Sequence, residues 1–169
     1  QLRGDHIRLN IKALRIKNFR NIKDIFYEPE ERLNIFLGEN GQGKTNIIEA
    51  IYVLAQGSSF RAVNDSGLVN YEAQNYDIQA RYQNEQKIMD SRLSYSDDGK
   101  KVYKLNGKKA RQNNIDRLRV VIFTPDDLFL IKGSPTLRRR FLDIALSQLS
   151  VEYSHHSGDF SKILKKRNY

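Results

Sequence analysis

Apolar and basic residues alternate from Ile11 to Phe19, with Ile11 and Ala13 set against Lys12, Arg15 and Lys17. This mixed apolar and basic pattern predicts a strand there and a second over Ile22 to Tyr27, joined by a turn at Asn18 to Asn21. Glu28-Pro29-Glu30-Glu31 breaks the pattern, and the apolar run Leu33 to Leu37 predicts a further short strand. The period then changes. Lys44 to Gln56 holds no Gly or Pro, and Ile47, Ile51 and Leu54 recur at i, i+4 and i+7, with Ile48 and Ala55 widening the stripe. Ala50 and Val53 leave little polar face, so this helix belongs against a sheet, and Gly57 is placed to end it in a left-handed cap.

Beyond a mixed stretch to Asn75 the period returns to two. Ile78, Ala80 and Tyr82 alternate with Asp77, Gln79 and Arg81, and Met89, Leu93 and Tyr95 share one face of the next strand. Asp98-Gly99 and Asn106-Gly107 are hairpin turn signals, so residues 76–118 read as an antiparallel meander. Val120 to Phe123 is a continuous apolar run, predicting a buried strand. Thr124, Pro125 and Asp127 then fit the N-cap, first and third positions of a helix. Ser134-Pro135 repeats that logic for a helix to Leu149 with Leu137, Phe141 and Ile144 as its stripe, and a last helical pattern runs from Phe160 to Arg167. The class is α/β, divided as 10–75, 76–118 and 119–169.

The chain has 169 residues, of which 39% are hydrophobic and 29% charged, enough for one domain or a piece of a larger protein. Gln1-Leu2-Arg3-Gly4 opens it without Met, so residues 1–10 read as an appended leader, and the uncapped basic helix at the other end reads as cut. There is no Cys, hence no disulfide, thiolate metal site or cysteine nucleophile. The adjacent His155 and His156 cannot share a helix face, and with His6 they make no metal site. No apolar run has membrane-spanning length and no signal peptide is recognisable, which points to a cytoplasmic protein without a membrane partner.

Net charge is +9, and its distribution points to a polyanion. Between Gly99 and Arg119 stand Lys100, Lys101, Lys104, Lys108, Lys109, Arg111, Arg117 and Arg119 against one acid, Asp116. The first six are candidate DNA contacts. Arg138-Arg139-Arg140 and Lys162, Lys165, Lys166 and Arg167 form two later clusters.

The chemistry gathers at Gly38-Glu39-Asn40-Gly41-Gln42-Gly43-Lys44-Thr45, which is G-x-x-x-x-G-K-[ST], the phosphate-binding loop of nucleoside triphosphatases. Its glycines let backbone N–H groups cup the β- and γ-phosphates. Lys44 would meet the β/γ oxygens and the Thr45 hydroxyl would hold Mg²⁺. The apolar run before the loop and the helix after it supply the expected flanks. A competing reading, a self-contained P-loop kinase or triphosphatase, would use Asp126 or Asp127 as its Mg²⁺ carboxylate. However, Thr124-Pro125 separates them from the apolar run, and capping accounts for them without metal. The Asn-Lys-x-Asp guanine signal is absent, so adenine fits better. A third reading is a non-catalytic DNA-binding module that keeps the loop for stability.

Longer blocks resemble the RecF family of bacterial recombination mediators. These are Leu14-Arg15-Ile16-Lys17-Asn18-Phe19-Arg20-Asn21, the loop through Asn46 with Ile48-Glu49-Ala50-Ile51, and Ser59-Phe60-Arg61. The most specific block is Phe123-Thr124-Pro125-Asp126-Asp127-Leu128, through Lys132-Gly133-Ser134-Pro135, to Arg138-Arg139-Arg140-Phe141-Leu142-Asp143. The first blocks also occur across SMC-type ATPases, so an SMC- or RecN-like head is the alternative. The resemblance covers residues 11–169 and implies an ABC-ATPase-like head that binds ATP and Mg²⁺ and dimerises on ATP. It implies binding of DNA at single-strand gaps or junctions, and work with RecR and RecO to load RecA in gap repair, replication recovery and the SOS response. It makes Arg20 and Arg61 candidate nucleotide or DNA contacts. It implies weak DNA-dependent ATPase activity for the family and places the Walker B and signature motifs beyond Tyr169. No catalytic residue is therefore assigned, and the SMC-type Q-loop glutamine has no counterpart near Thr124 to Asp127.

Overall fold

The computed structural model describes residues 9–62, 64–84, 87–111, 114, 116–128, 130 and 133–167. The chain forms two compact units, one of Gln1–Gln112 with Asp116–Val120, the other of Asn113–Ile115 with Val121–Tyr169. In the first unit six strands make a single antiparallel sheet: β1 (Leu9–Phe19), β2 (Ile22–Tyr27), β3 (Tyr76–Asn84), β4 (Lys87–Tyr95), β5 (Lys101–Leu105) and β6 (Lys108–Lys109), in the order β2-β1-β3-β4-β5-β6. The first hairpin and the meander are thus not separate layers. β1 pairs with β3, in the register Leu14 opposite Ala80 and Ile16 opposite Ile78, with a bulge between Ile11 and Ala13.

Period-two patterning decides the faces. Rows such as Ile16–Ile78–Leu93–Tyr103 run across the sheet on one side. They are buried with Phe19, Tyr76 and Leu68 against α1 (Lys44–Gln56). α1 contributes Ile47, Ala50, Val53, Leu54 and Ala55; Ile48, expected in the stripe, is exposed, because the buried arc centres one residue further round. Each large side chain so buried contributes about 1.5–3 kcal/mol. The other face carries ion pairs along and between strands: Arg15 with Asp24, Arg81 with Asp90, and Arg92 with Asp77. The Arg15 hydrogen bond holds the Asp24 carboxyl below its ordinary range. The Asp-Gly and Asn-Gly signals are the β4–β5 and β5–β6 turns, with Gly99, Asn106 and Gly107 all at positive φ.

Two predicted strands do not form. Leu33 to Leu37 has no regular secondary structure and no backbone ladder. Its alternation is still visible, since Phe36 packs on Tyr27 with ring centroids 5.4 Å apart and the Tyr27 hydroxyl donates to Asn34 Oδ1 at 2.5 Å. Leu33, Ile35 and Leu37 are exposed. Val120 to Phe123 is likewise irregular; Val120 packs on the core, but Val121 and Phe123 are 87% and 77% exposed. Apolar composition suits a strand, but a strand also requires a neighbour for its N–H and C=O groups, and neither run has one among the described residues.

In the second unit a 3-10 turn, Pro125–Leu128, stands where a helix start was expected. It is followed by α2 (Pro135–Leu149) and α3 (Val151–Arg167), joined through the extended Ser150. α3 begins well before the expected Phe160. Neither helix buries a residue, and Leu137, Phe141, Leu142 and Leu149 of α2 are exposed.

Candidate phosphate-binding site

The phosphate loop joins the Phe36 anchor to α1. Gly38, Gly41 and Gly43 have φ of 149°, 84° and 94°, values that L side chains rarely adopt. Gly43 caps α1, its carbonyl accepting from the N–H groups of Asn46 and Ile47 at 2.9 and 3.1 Å. The amides of the first helical turn, Lys44 and Thr45 among them, have no intrahelical acceptor, as in any helix start. At this end of the helix the dipole favours negative charge. Lys44 Nζ lies over the loop on the carbonyls of Gly38 and Glu39, both at 2.6 Å. Glu39, Asn40 and Gln42 are exposed on the loop.

Arg20 and Arg61, distant in sequence, meet beside this loop on one carboxylate. Glu49 of α1 is fully buried (0% exposed) and accepts from Arg20 Nε and Nη2 at 3.2 and 2.9 Å, from Arg61 Nη1 at 3.5 Å, and from Ser59 Oγ at 2.5 Å. A buried carboxylate is tolerable only when its oxygens are filled in this way. Arg20 has φ 54° at the β1–β2 turn, a conformation costly for a non-glycine residue. Residues 67–70 hold it there: Arg20 N–H donates to the Leu68 carbonyl at 2.8 Å, Asn70 Nδ2 donates to the Arg20 carbonyl at 2.7 Å, and Arg20 Nη1 reaches the Gly67 carbonyl at 2.8 Å. Ser59 Oγ also accepts from the N–H groups of Arg61 and Ala62, at 2.8 Å each, fixing the turn that presents Arg61.

The site therefore brings together the amides of a helix start, the Lys44 ammonium and the Arg61 guanidinium, with Arg20, its three nitrogens engaged by Glu49 and the Gly67 carbonyl, adding positive charge. That donor set fits a polyphosphate. For a divalent cation, only the exposed Thr45 hydroxyl is at hand, and no group of three or more Asp, Glu, His or Cys residues able to hold a metal occurs among the described residues. Asp127 is occupied locally: its Oδ2 accepts from Thr124 N–H at 2.5 Å and Thr124 Oγ1 at 2.9 Å, a capping-box arrangement. The Asp126 side chain lies outside the described residues. Glu49, Asn21 and Ser59 were not among the candidates from sequence. A lone carboxylate inside an otherwise apolar helix was the signal for Glu49.

The six basic candidates at the sheet tip separate. Lys101 Nζ is committed to the Gly57 carbonyl at 2.6 Å and to Asp65 at 2.5 Å, which ties β5 to the C-terminus of α1. Lys100 pairs with Asp98. Lys104, Lys108, Lys109 and Arg111 are exposed, and Lys104 lies opposite both Arg92 and Lys109 across the sheet.

The family model for the RecF/RecN/SMC N terminal domain matches residues 10–126. The DNA replication and repair protein RecF of Halalkalibacterium halodurans is 42% identical over 163 residues, which are 95% of this chain and 44% of that protein. The RecF of Bacillus cytotoxicus is 40% identical over 94% of this chain and 43% of its own length. The chain thus spans under half the length of these relatives. Among solved structures, the recombination mediator RecF with ATP superposes with a TM-score of 0.88 at 30% identity, over 99% of this chain and 46% of that one. An SMC ATPase from work on ATP-driven dimerization and DNA-stimulated activation gives 0.67 at 26% identity, over 80% of this chain and 99% of that one.

Proposed function

The chain belongs to the family of RecF, RecN and SMC N-terminal domains, and on that premise we propose that it binds ATP as the N-terminal part of a RecF-like DNA replication and repair protein. The observation that carries this is the donor set above: a glycine loop at a helix start, Lys44 over it, and Arg20 and Arg61 oriented beside it by one buried carboxylate. Backbone N–H groups and Lys44 take the β- and γ-phosphates. The Thr45 hydroxyl would hold Mg²⁺, which would supply neutralisation of the phosphate charge. Arg20 and Arg61 add positive charge at the mouth of the loop.

The wider role is proposed from the family resemblance. The whole protein would associate with DNA at single-strand gaps or junctions, dimerise on ATP and act with RecR and RecO in gap repair. The exposed lysines of the sheet tip are the DNA contacts nearest to hand. Among the described residues no helix is long and apolar enough to cross a membrane.

Lys44→Ala tests the core of this reading. It removes the ammonium but no core packing, so ATP affinity by calorimetry should fall by about 2 kcal/mol, roughly thirtyfold, at an unchanged melting temperature. Equal affinity in the variant overturns the assignment.

A further inference from the structure

Between the arginine cluster and the phosphate loop runs a chain of side-chain amides that the ATP-site reading leaves without a role. Arg61 Nη1 donates to Asn46 Oδ1 at 3.2 Å, Asn46 Nδ2 donates to Asn21 Oδ1 at 2.8 Å, and Asn21 Nδ2 donates to the Gly41 carbonyl at 2.7 Å. A guanidinium can only donate and a carbonyl can only accept, so the two ends force both amides into one orientation. The relay has a direction, and it ends on the loop.

The same Asn21 touches the loop a second way. A Cβ placed on Gly43 would stand 2.8 Å from Asn21 Oδ1 and 3.3 Å from its Nδ2. Gly43 thus needs to be glycine on two counts, its φ of 94° and the amide lying against it. Asn21 itself is set by the turn that holds Arg20 at φ 54°, and Arg20 is held in turn by Glu49. The ring closes: Glu49 fixes Arg61 and Arg20, Arg61 orients Asn46, Arg20 places its neighbour Asn21, and the two amides meet.

We propose that Asn21 is a positioning residue of the phosphate loop, its amide holding the Gly41 carbonyl so that the following N–H groups converge on phosphate. Turning one peptide carbonyl outward aims neighbouring amides the other way, which is the geometry an anion cradle requires. The inference rests on the phosphate-site reading, and it assigns work to a residue outside the loop motif, delivered from the tip of the first hairpin.

The test is calorimetric binding of ATP and of inorganic tripolyphosphate to five chains: unsubstituted, Lys44→Ala, Asn21→Leu, Asn21→Asp and Asn21→Asp with Asn46→Ala. Asp keeps the shape of Asn and the acceptor for Asn46, but sets an oxygen against the Gly41 carbonyl in place of an N–H. The expected result is a loss of about tenfold or more for both ligands in Asn21→Asp, with the melting temperature held within a few degrees. The equal loss for tripolyphosphate matters, because a loop effect does not depend on the nucleoside. Adding Asn46→Ala should cost little more, since the relay is already broken. The charge of Asp also repels phosphate, so Asn21→Leu is measured too; similar in volume and uncharged, it should lose affinity at least severalfold. Unchanged affinity in Asn21→Leu overturns the proposal, as does a loss confined to ATP. If Lys44→Ala also binds like the unsubstituted chain, the phosphate-site reading falls with it. A loss in Lys44→Ala alone removes only the role of Asn21.

Discussion

The sheet unit carries cations at two places, and it treats them oppositely. Beside the phosphate loop Arg20 and Arg61 share the buried Glu49, with side chains 26% and 46% exposed. At the β5–β6 tip Lys104, Lys108 and Lys109 stand in solvent, and a lysine stem of four carbons gives each a wide arc. The first arrangement spends a buried carboxylate and a left-handed backbone turn to place charge within a narrow geometry. The second places charge only on average. Positioned charge suits a ligand whose atoms must lie at particular points, such as a triphosphate, whereas averaged charge suits the repeating phosphates of a nucleic acid, which can be met in many registers. On the proposed reading, similar side-chain charge would serve two tasks, and Glu49 is what distinguishes the two arrangements.

Removing Glu49 should therefore have the largest effect. In Glu49→Ala the two guanidiniums lose their shared partner and Ser59 Oγ loses an acceptor. Truncating one member of a buried charge cluster costs about 3–5 kcal/mol where the remaining charge stays dry. Here water can reach both arginines, so about 2–3 kcal/mol of unfolding free energy is the expected loss in urea titration. ATP affinity should drop about tenfold as the arginines lose their bearings. An unchanged denaturation midpoint would mean that the phosphate-end arginines are held no better than the tip lysines, and the contrast between the two places would collapse.

Much of this layout was legible in the sequence, for reasons that are local. β2 runs from Ile22 to Tyr27 and α1 from Lys44 to Gln56, as patterning and the Gly57 cap indicated. The Asn-Gly and Asp-Gly turns fall where Gly99 and Gly107 take positive φ. Periodicity and turn chemistry are properties of neighbouring residues. Leu33 to Leu37 and Val120 to Phe123 were misread because strand formation depends on a partner strand, which no local pattern contains. The phosphate loop was legible as a motif, and Arg20 and Arg61 came from resemblance. Their meeting on Glu49, 29 and 12 residues away, is a long-range fact, as is the Asn21 contact 20 residues away with Gly41.

The tip lysines give the next effect in size. If Lys104 and Lys109, opposite one another on β5 and β6, each contact a DNA phosphate, reversing both to Glu should weaken every DNA ligand alike. The slope of log affinity against log salt should flatten by roughly two units, one for each lost contact. Stability should stay within about 0.5 kcal/mol, because both side chains are exposed. Lys101→Ala should behave in the reverse way. It breaks the tie from β5 to the Gly57 carbonyl and Asp65, so it should cost stability while leaving the salt slope in place. A flattened slope in Lys101→Ala with none in the double reversal would exchange the roles of the half-buried and exposed lysines.

The smallest effect is expected at Asp127, and it bears on whether a second positioned carboxylate serves the nucleotide. Asp127 resembles Glu49 in having its oxygen filled, but the donors are Thr124 N–H and Oγ1 of its own turn, not arginines. A carboxylate used to close a turn gains its stability from backbone geometry three residues away, so Asp127→Asn should cost about 1 kcal/mol or less, as for a weakened helix cap. ATP affinity in the presence of Mg²⁺ should not move, since nothing in that arrangement requires a metal. A phosphate-release assay with DNA gives the sharper readout. If the chain turns ATP over and Asp127→Asn abolishes that turnover while Lys44→Ala abolishes it too, then Asp127 leaves Thr124 to hold the metal, and the chain carries a catalytic carboxylate as well as a phosphate cradle. With turnover at background in all three proteins and ATP binding lost only in Lys44→Ala, Asp127 is a capping residue and the positioned charge of the sheet unit is confined to the Glu49 cluster.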